Sequence, residues 1–158
     1  MSQANIELIR RLYVALDARD GETMARCYHK KATFRDPVFT LEGDRVGWMW
    51  RMLTARAADL RAHASGFEAD AETGKAYWVA TYSYSATGRK VENRIHARFR
   101  FTEGLIGEHV DTFSFWRWSR QALGPIGLVA GWTPWLQRTV QRRAGEALDR
   151  YIDSAASR

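Results

Sequence analysis

The chain has 158 residues, with 24 Lys and Arg against 18 Asp and Glu, a net charge of +6 and an aromatic share of 13%. That length implies one domain burying roughly two-thirds of its unfolded surface; no apolar run reaches the ~20 residues of a membrane-spanning helix, and the single Cys27 excludes an internal disulfide. The arginines are scattered, without zinc-finger spacing or an unbroken basic run, which argues against nucleic acid as a partner despite the charge.

Met1-Ser2-Gln3-Ala4-Asn5 carry neither the basic region nor the apolar stretch of a signal peptide, and a lone thiol fits a cytoplasmic setting. Ile6, Ile9, Leu12, Tyr13 and Leu16 then recur at three- and four-residue steps, which predicts an amphipathic first helix. Asp20-Gly21 ends it, and Asp20 is a good N-cap for a short second helix carrying Met24, Cys27 and Tyr28. Ala32 to Phe39 reads as a strand with Phe34, Asp36 and Val38 on one face. An acid on an apolar face must be paired, solvated in a cavity or held protonated, so Asp36 is read as lining a pocket. Asp44 next caps a third helix with the core stripe Val46, Met49, Trp50 and Leu53.

Four strands are predicted to follow as an antiparallel meander: Leu60–Asp70, Ala76–Thr87, Val91–Thr102 and Ile106–Trp118, with turns at Glu72-Thr73-Gly74-Lys75, Gly88-Arg89-Lys90 and Glu103-Gly104. Helices followed by a meander imply an α+β fold with helices on one face of a sheet. The third of these strands alternates cleanly, with Ile95, Ala97, Phe99 and Phe101 on one face and Arg94, His96, Arg98 and Arg100 on the other. His96 is therefore expected to face outward. On the last strand His109, Asp111 and Phe113 share a face, so two polar groups line an aromatic wall, the composition of a binding cavity.

These residues carry a family resemblance. The run from Leu16-Asp17-Ala18-Arg19-Asp20 through Ala32-Thr33-Phe34-Arg35-Asp36-Pro37 resembles the nuclear-transport-factor-two-like superfamily, within it the SnoaL-like and ketosteroid-isomerase-like members. So do the stretch from Gly88-Arg89-Lys90 to Phe99-Arg100-Phe101 and the strand Glu108-His109-Val110-Asp111-Thr112-Phe113. The resemblance covers Ile6 to Trp118. It implies a cone-shaped α+β domain over residues 1–118, a curved antiparallel sheet wrapped around N-terminal helices and enclosing an apolar cavity. Residues 119–158 would add an apolar loop and an amphipathic helix packed on the same domain. Position by position, the base of ketosteroid isomerase falls on Asp36. The phenol of its oxyanion hole falls on Leu12, with Tyr13 one residue off and on the wrong side, and its neutral acid falls on Ala97. Steroid isomerisation by that mechanism is thereby disfavoured. Asp111 matches the late-strand acid/base of SnoaL-like polyketide cyclases, whereas the inward arginine of limonene epoxide hydrolase has no counterpart.

The resulting expectation is a small cofactor-independent acid/base enzyme, of isomerase, cyclase or dehydratase type, acting on a hydrophobic carbonyl compound. Asp36, His109 and Asp111 are the candidate catalytic groups, and Trp78, Tyr82, Tyr84, Asn93 and Phe113 line the substrate site. His109 is expected between the two acids. One His and two Asp on separate strands are too generic a set to indicate a metal. The alternative is a non-catalytic binder of a lipid-like or polycyclic ligand, and the resemblance further implies a homodimer through the sheet. The Gln121–Gln137 stretch carries no charge, and Thr133-Pro134 starts a helix with Leu136, Val140, Ala144, Leu148 and Tyr151 or Ile152 on one stripe. That segment either covers the cavity mouth or a neighbouring subunit, or rests peripherally on anionic lipid through Trp132, Trp135 and a basic face.

Overall fold

The computed structural model describes residues 1–158. Helix α1 (Gln3–Asp17) is capped by the Ser2 hydroxyl, which accepts from the Asn5 N–H. Helix α2 (Gly21–Arg26) is capped by Asp20, whose carboxylate accepts from the Thr23 N–H, as the sequence predicts. Strand β1 (Tyr28–Arg35) starts four residues earlier than Ala32 and stops before Asp36. The reason for the early stop is local. Pro37 disfavours regular pairing around it, and the Asp36 carboxylate accepts from the Val38 and Phe39 N–H groups at 2.7 and 2.6 Å, folding a tight turn into β2 (Thr40–Glu42). Asp36 thus sits on a turn, not on the strand face expected of it.

Helix α3 (Asp44–Arg56) is N-capped by Gly43 at φ 66°, a conformation that favours glycine, and Asp44 lies in its first turn instead of at the cap. Its face Val46, Met49, Trp50 and Met52 is buried. Strands β3 (Arg61–Ala69), β4 (Thr73–Ser83), β5 (Lys90–Thr102) and β6 (Leu105–Thr112) form the antiparallel meander. Glu103 and Gly104 both take positive φ, 53° and 76°, the geometry of a two-residue hairpin turn that matches strand twist. The sheet order is β2-β1-β6-β5-β4-β3, and β1 joins β6 in parallel, the one parallel pair in the sheet.

On β5, Val91, Asn93, Ile95, Ala97 and Phe99 point inward, while the arginines and His96 face out. The main core gathers this face with α1, α3 and Phe34, Trp50, Trp78 and Ile106. Burying such a side chain contributes about 1.5–3 kcal/mol each, which is what fixes the strand parity.

Strand β6 ends at Thr112, well short of Trp118, because Ser114 turns the chain into a helix: its hydroxyl accepts from the Arg117 N–H. Helix α4 (Phe115–Leu123) and a short α5 (Pro125–Ala130) occupy what reads as an apolar loop in sequence. Helix α6 (Pro134–Ala156) is capped by Thr133. Its Leu148 is fully buried in the main core, and Tyr151 meets Trp48 of α3 edge-on at 6.3 Å. Replacing a leucine buried this way by alanine costs about 2–5 kcal/mol. A second cluster of Val91, Phe115, Trp118, Ala122, Leu136 and Val140 roofs one end of the cone, where Val38, Tyr82 and Phe113 touch both clusters. No helix is long and apolar enough to cross a membrane.

Candidate active site

His109 is wholly buried and hydrogen-bonded at both ring nitrogens. Nε2 lies 2.7 Å from Asp111 Oδ1, and Nδ1 lies 2.8 Å from the Tyr28 hydroxyl. The Tyr28 oxygen also accepts from the Trp50 indole N–H at 2.9 Å. The Asp111 oxygen accepts, so Nε2 carries a hydrogen and donates it to Asp111, which leaves Nδ1 to accept from the Tyr28 phenol O–H. Trp50, Tyr28, His109 and Asp111 form one directed string drawn from α3, β1 and β6. Aromatic rings enclose it: Phe99 sits 4.4 Å from the imidazole centroid and Phe34 4.9 Å, edge-on.

Two donors beside this string have no partner. The Tyr13 hydroxyl and the Trp78 indole N–H are buried without a hydrogen bond, and their rings lie 5.4 Å apart. Burial, then the charge of Asp111 and the Tyr28 phenol, raise the Tyr13 pKa well above its ordinary value. Tyr13 therefore keeps its proton and can donate it in a hydrogen bond. Leaving a buried donor unpaired costs about 1–3 kcal/mol, and no group of the chain competes for either hydrogen. Tyr13 faces the interior, contrary to its expected place on the wrong side. The buried stripe of α1 is wide enough to take both Leu12 and Tyr13 inward.

Asp36 is half-buried as a residue, but its carboxyl end is desolvated, which pushes its pKa up to about 7. The turn N–H bonds oppose that rise and the charge of Asp111 adds to it. Burial likewise raises Tyr82 to about 12, with Tyr84 and Asp36 contributing and the hydrogen bond from Trp118 opposing. Asp36, Asp111 and Tyr82 therefore share one electrostatic neighbourhood.

The residue-nine to residue-109 stretch matches the family model of the SnoaL-like domain. The chain belongs to this SnoaL-like family. Solved structures share the fold of this SnoaL-like chain. It is similar to an LEH-like epoxide hydrolase from M. tuberculosis at TM-score 0.66 and 18% identity, covering 82% of this chain and 95% of that one. It is also similar to IdmH, a polyketide cyclase by its description, from Streptomyces antibioticus, at TM-score 0.60 and 22% identity, covering 76% and 98%. A third, described in the same way, comes from Xanthomonas campestris pv. campestris, at TM-score 0.63 and 14% identity, covering 75% and 96%. At such identities the likeness concerns the fold. No curated protein matches the sequence.

Within this SnoaL-like cone the sequence-derived candidates divide. His109 and Asp111 are bonded to each other, and Trp78 and Asn93 are buried on the same inner face. Asp36 feels Asp111 electrostatically, but His109 does not lie between the two acids, since its second nitrogen goes to Tyr28. Tyr82 accepts from the Trp118 indole at 2.8 Å, and Tyr84 packs edge-on against Trp118 at 5.2 Å, so both are engaged by the roof. Phe113 is half-buried between the two clusters. Tyr28 and Trp50 escape sequence reasoning. The available signals are that Tyr28 shares strand parity with Ala32 and Phe34, and that Trp50 lies on the core stripe of α3. Two open surface grooves, of about 340 and 850 Å³, lie away from His109 and Asp111.

Proposed function

We propose that this SnoaL-like protein is a small acid/base enzyme that moves a proton on a hydrophobic carbonyl compound, as an isomerase, cyclase or dehydratase does. The observation that carries the reading is the buried Trp50–Tyr28–His109–Asp111 string set beside the two unpartnered donors of Tyr13 and Trp78. The bond from His109 engages Asp111 Oδ1 and leaves Oδ2 to take a proton from the carbon beside the carbonyl. Tyr13 O–H and Trp78 N–H then donate to the oxygen on which negative charge develops. Asp36, titrating near neutrality, is suited to return a proton elsewhere on the same substrate. Trp78 and Phe113 supply the apolar walls, Asn93 a buried amide beside them, and Tyr82 and Tyr84 stand at the roof. Acid/base help of this type is worth about 10²–10⁴-fold. We also read the outer sheet face as the contact of a homodimer, around the 850 Å³ groove walled by Arg35, Phe67, Arg98, Arg100, Glu108 and Val110.

The test is deuterium exchange. The protein is incubated in D₂O with a panel of hydrophobic ketones and polycyclic carbonyl compounds, and label beside the carbonyl is read by mass spectrometry. Exchange by the native protein that falls at least about 10²-fold in Asp111→Asn, with the circular dichroism of the fold retained, supports the assignment. Exchange unaltered in Asp111→Asn overturns it, and ligand binding with no exchange assigns the interior to a carrier instead.

A further inference from the structure

The outer side of the C-terminal layer bears large apolar groups with nothing over them. Ile126, Leu128, Val129, Trp132 and Trp135 are between 52% and 74% exposed, all within ten residues of chain. A folded surface seldom gathers so many large apolar side chains without a partner to cover them.

Their exposure is built in by the backbone. A Cβ on Gly127 or Gly131 would collide with Ser119, so α5 is pressed tightly onto α4 and cannot roll its apolar face inward. The Trp116 indole donates to the Leu128 carbonyl at 3.3 Å and the Trp132 indole to the Val129 carbonyl at 2.8 Å, pinning the turn. On the opposite side Ala130, Leu136 and Val140 pack into the roof, so the segment has one face committed to the protein and one left over.

The charge around the patch is of one sign. From residue 112 to residue 145 the chain carries Arg117, Arg120, Arg138, Arg142 and Arg143 and no Asp, Glu or Lys. All five arginines are exposed. Trp135, Arg138 and Arg142 fall on one stripe of α6 at three- and four-residue spacing, the aromatic end continuing from Trp132. Indoles beside a purely cationic stripe, on an element lying flat on the protein, match the boundary between headgroups and acyl chains of an anionic bilayer.

We infer that the exposed α5–α6 corner is a docking surface for anionic lipid membrane, with Ile126, Val129, Trp132 and Trp135 entering the interface and Arg138 and Arg142 meeting headgroup phosphates. The inference is independent of the chemistry assigned to the interior. Because Gln137 and Gln141 of the same helix both donate to the Pro37 carbonyl at 3.0 Å, the docked corner adjoins the Asp36 end of the cone.

The experiment sediments the full chain with vesicles of phosphatidylcholine, with and without phosphatidylglycerol, at rising salt. Binding is expected to the anionic vesicles, to weaken with ionic strength, and to fall at least about tenfold in Trp132→Ser/Trp135→Ser. Arg138→Gln/Arg142→Gln should remove the preference for phosphatidylglycerol. All four positions are exposed, and both variants should keep the native circular dichroism. Absence of vesicle binding by the native chain overturns the inference, as does binding that both double substitutions leave unchanged. Concentration-dependent self-association abolished by the tryptophan substitutions also overturns it, because it assigns the corner to a second copy of the chain.

Discussion

Replacing Tyr28 by phenylalanine isolates the polar string without any knowledge of substrate. The phenol oxygen serves two buried groups, the Trp50 indole N–H at 2.9 Å and His109 Nδ1 at 2.8 Å, whose residues are 3% and 0% exposed. Phenylalanine keeps the ring and strands both. Each orphaned buried group costs about 1–3 kcal/mol, from which the relief of burying the hydroxyl itself subtracts, giving a net loss of about 2–4 kcal/mol. At roughly 2–4 °C per kcal/mol for a domain of this size, the melting temperature should fall by about 4–16 °C. The imidazole should change as well, because Nδ1 loses the hydrogen bond from the phenol while Asp111 still holds the hydrogen on Nε2, so the Nδ1 resonance should move toward that of an unbonded ring nitrogen. Urea denaturation measures the first effect and ¹⁵N NMR of the imidazole the second, with native His109 expected as the Nε2–H tautomer. A stability loss below about 0.5 kcal/mol, or native His109 carrying its proton on Nδ1, refutes the directed string.

Tyr13→Phe, in the same core, should act in the opposite sense. Its hydroxyl has no partner to lose, so stability should stay level or rise by about 1 kcal/mol in urea, while turnover of any carbonyl substrate falls. Asp36→Asn keeps an oxygen for the turn N–H groups and removes the acid. The folded carboxyl titrates at about 7, above the ordinary value of 3.8, so its burial costs nothing below about pH 4 and destabilises increasingly as pH rises through 7. The variant should therefore match the native protein in urea at pH 4 and exceed it by about 2–4 kcal/mol at pH 9; a constant difference across that range removes the assignment. Gln137→Ala/Gln141→Ala should free the Pro37 carbonyl, speed hydrogen exchange at the Val38 and Phe39 amides and lower the Asp36 pKa toward the ordinary range as water reaches the turn.

The sheet was readable because its alternation is strong. Ile95, Ala97 and Phe99 could only face inward, and once Phe113 joins them in parity His109 and Asp111 follow. The same rule misplaced Asp36, since Phe34, Asp36 and Val38 alternate as a strand would. An aspartate directly before proline is also a turn former, and its carboxylate takes the backbone N–H groups that pairing would have used. Strand β6 was overrun for a related reason: Ser114 alternates correctly but serves as an N-cap, and capping overrode parity. Tyr28 and Trp50 were out of reach by any local rule. Their partners lie 81 and 22 residues away, on elements whose contact is set by the closing of the cone. The uncharged apolar stretch after α4 reads as loop, yet Gly127 and Gly131 are what let a second helix approach Ser119.

The two ends of the interior are suited to different tasks. At the α3 end Trp50, Tyr28 and His109 are saturated with hydrogen bonds and packed among Phe34 and Phe99, so they hold a fixed proton order and cannot themselves meet a substrate. At the roof end the charge of Asp111 raises Asp36 and that of Asp36 raises Tyr82, and Val38 and Phe113 pack against helices that arrive from outside the family match. Under the proposed function a substrate would enter where the covering elements are half-buried and tied by few bonds, which selects the α6 side of the roof. The α6 side of that boundary is tied by the two glutamine bonds to Pro37, whereas α4 is held by the Trp118 bond to Tyr82 and by bonds joining Thr87 to Ala122 and Arg89 and Glu92 to Gln121. Exposed or half-buried ties of this kind contribute about 0.5–1.5 kcal/mol apiece, so freeing the α6 edge at Pro37 costs less than disturbing the core beneath. On that proposal the C-terminal layer, rather than the cone the family shares, would decide which molecules reach Asp111.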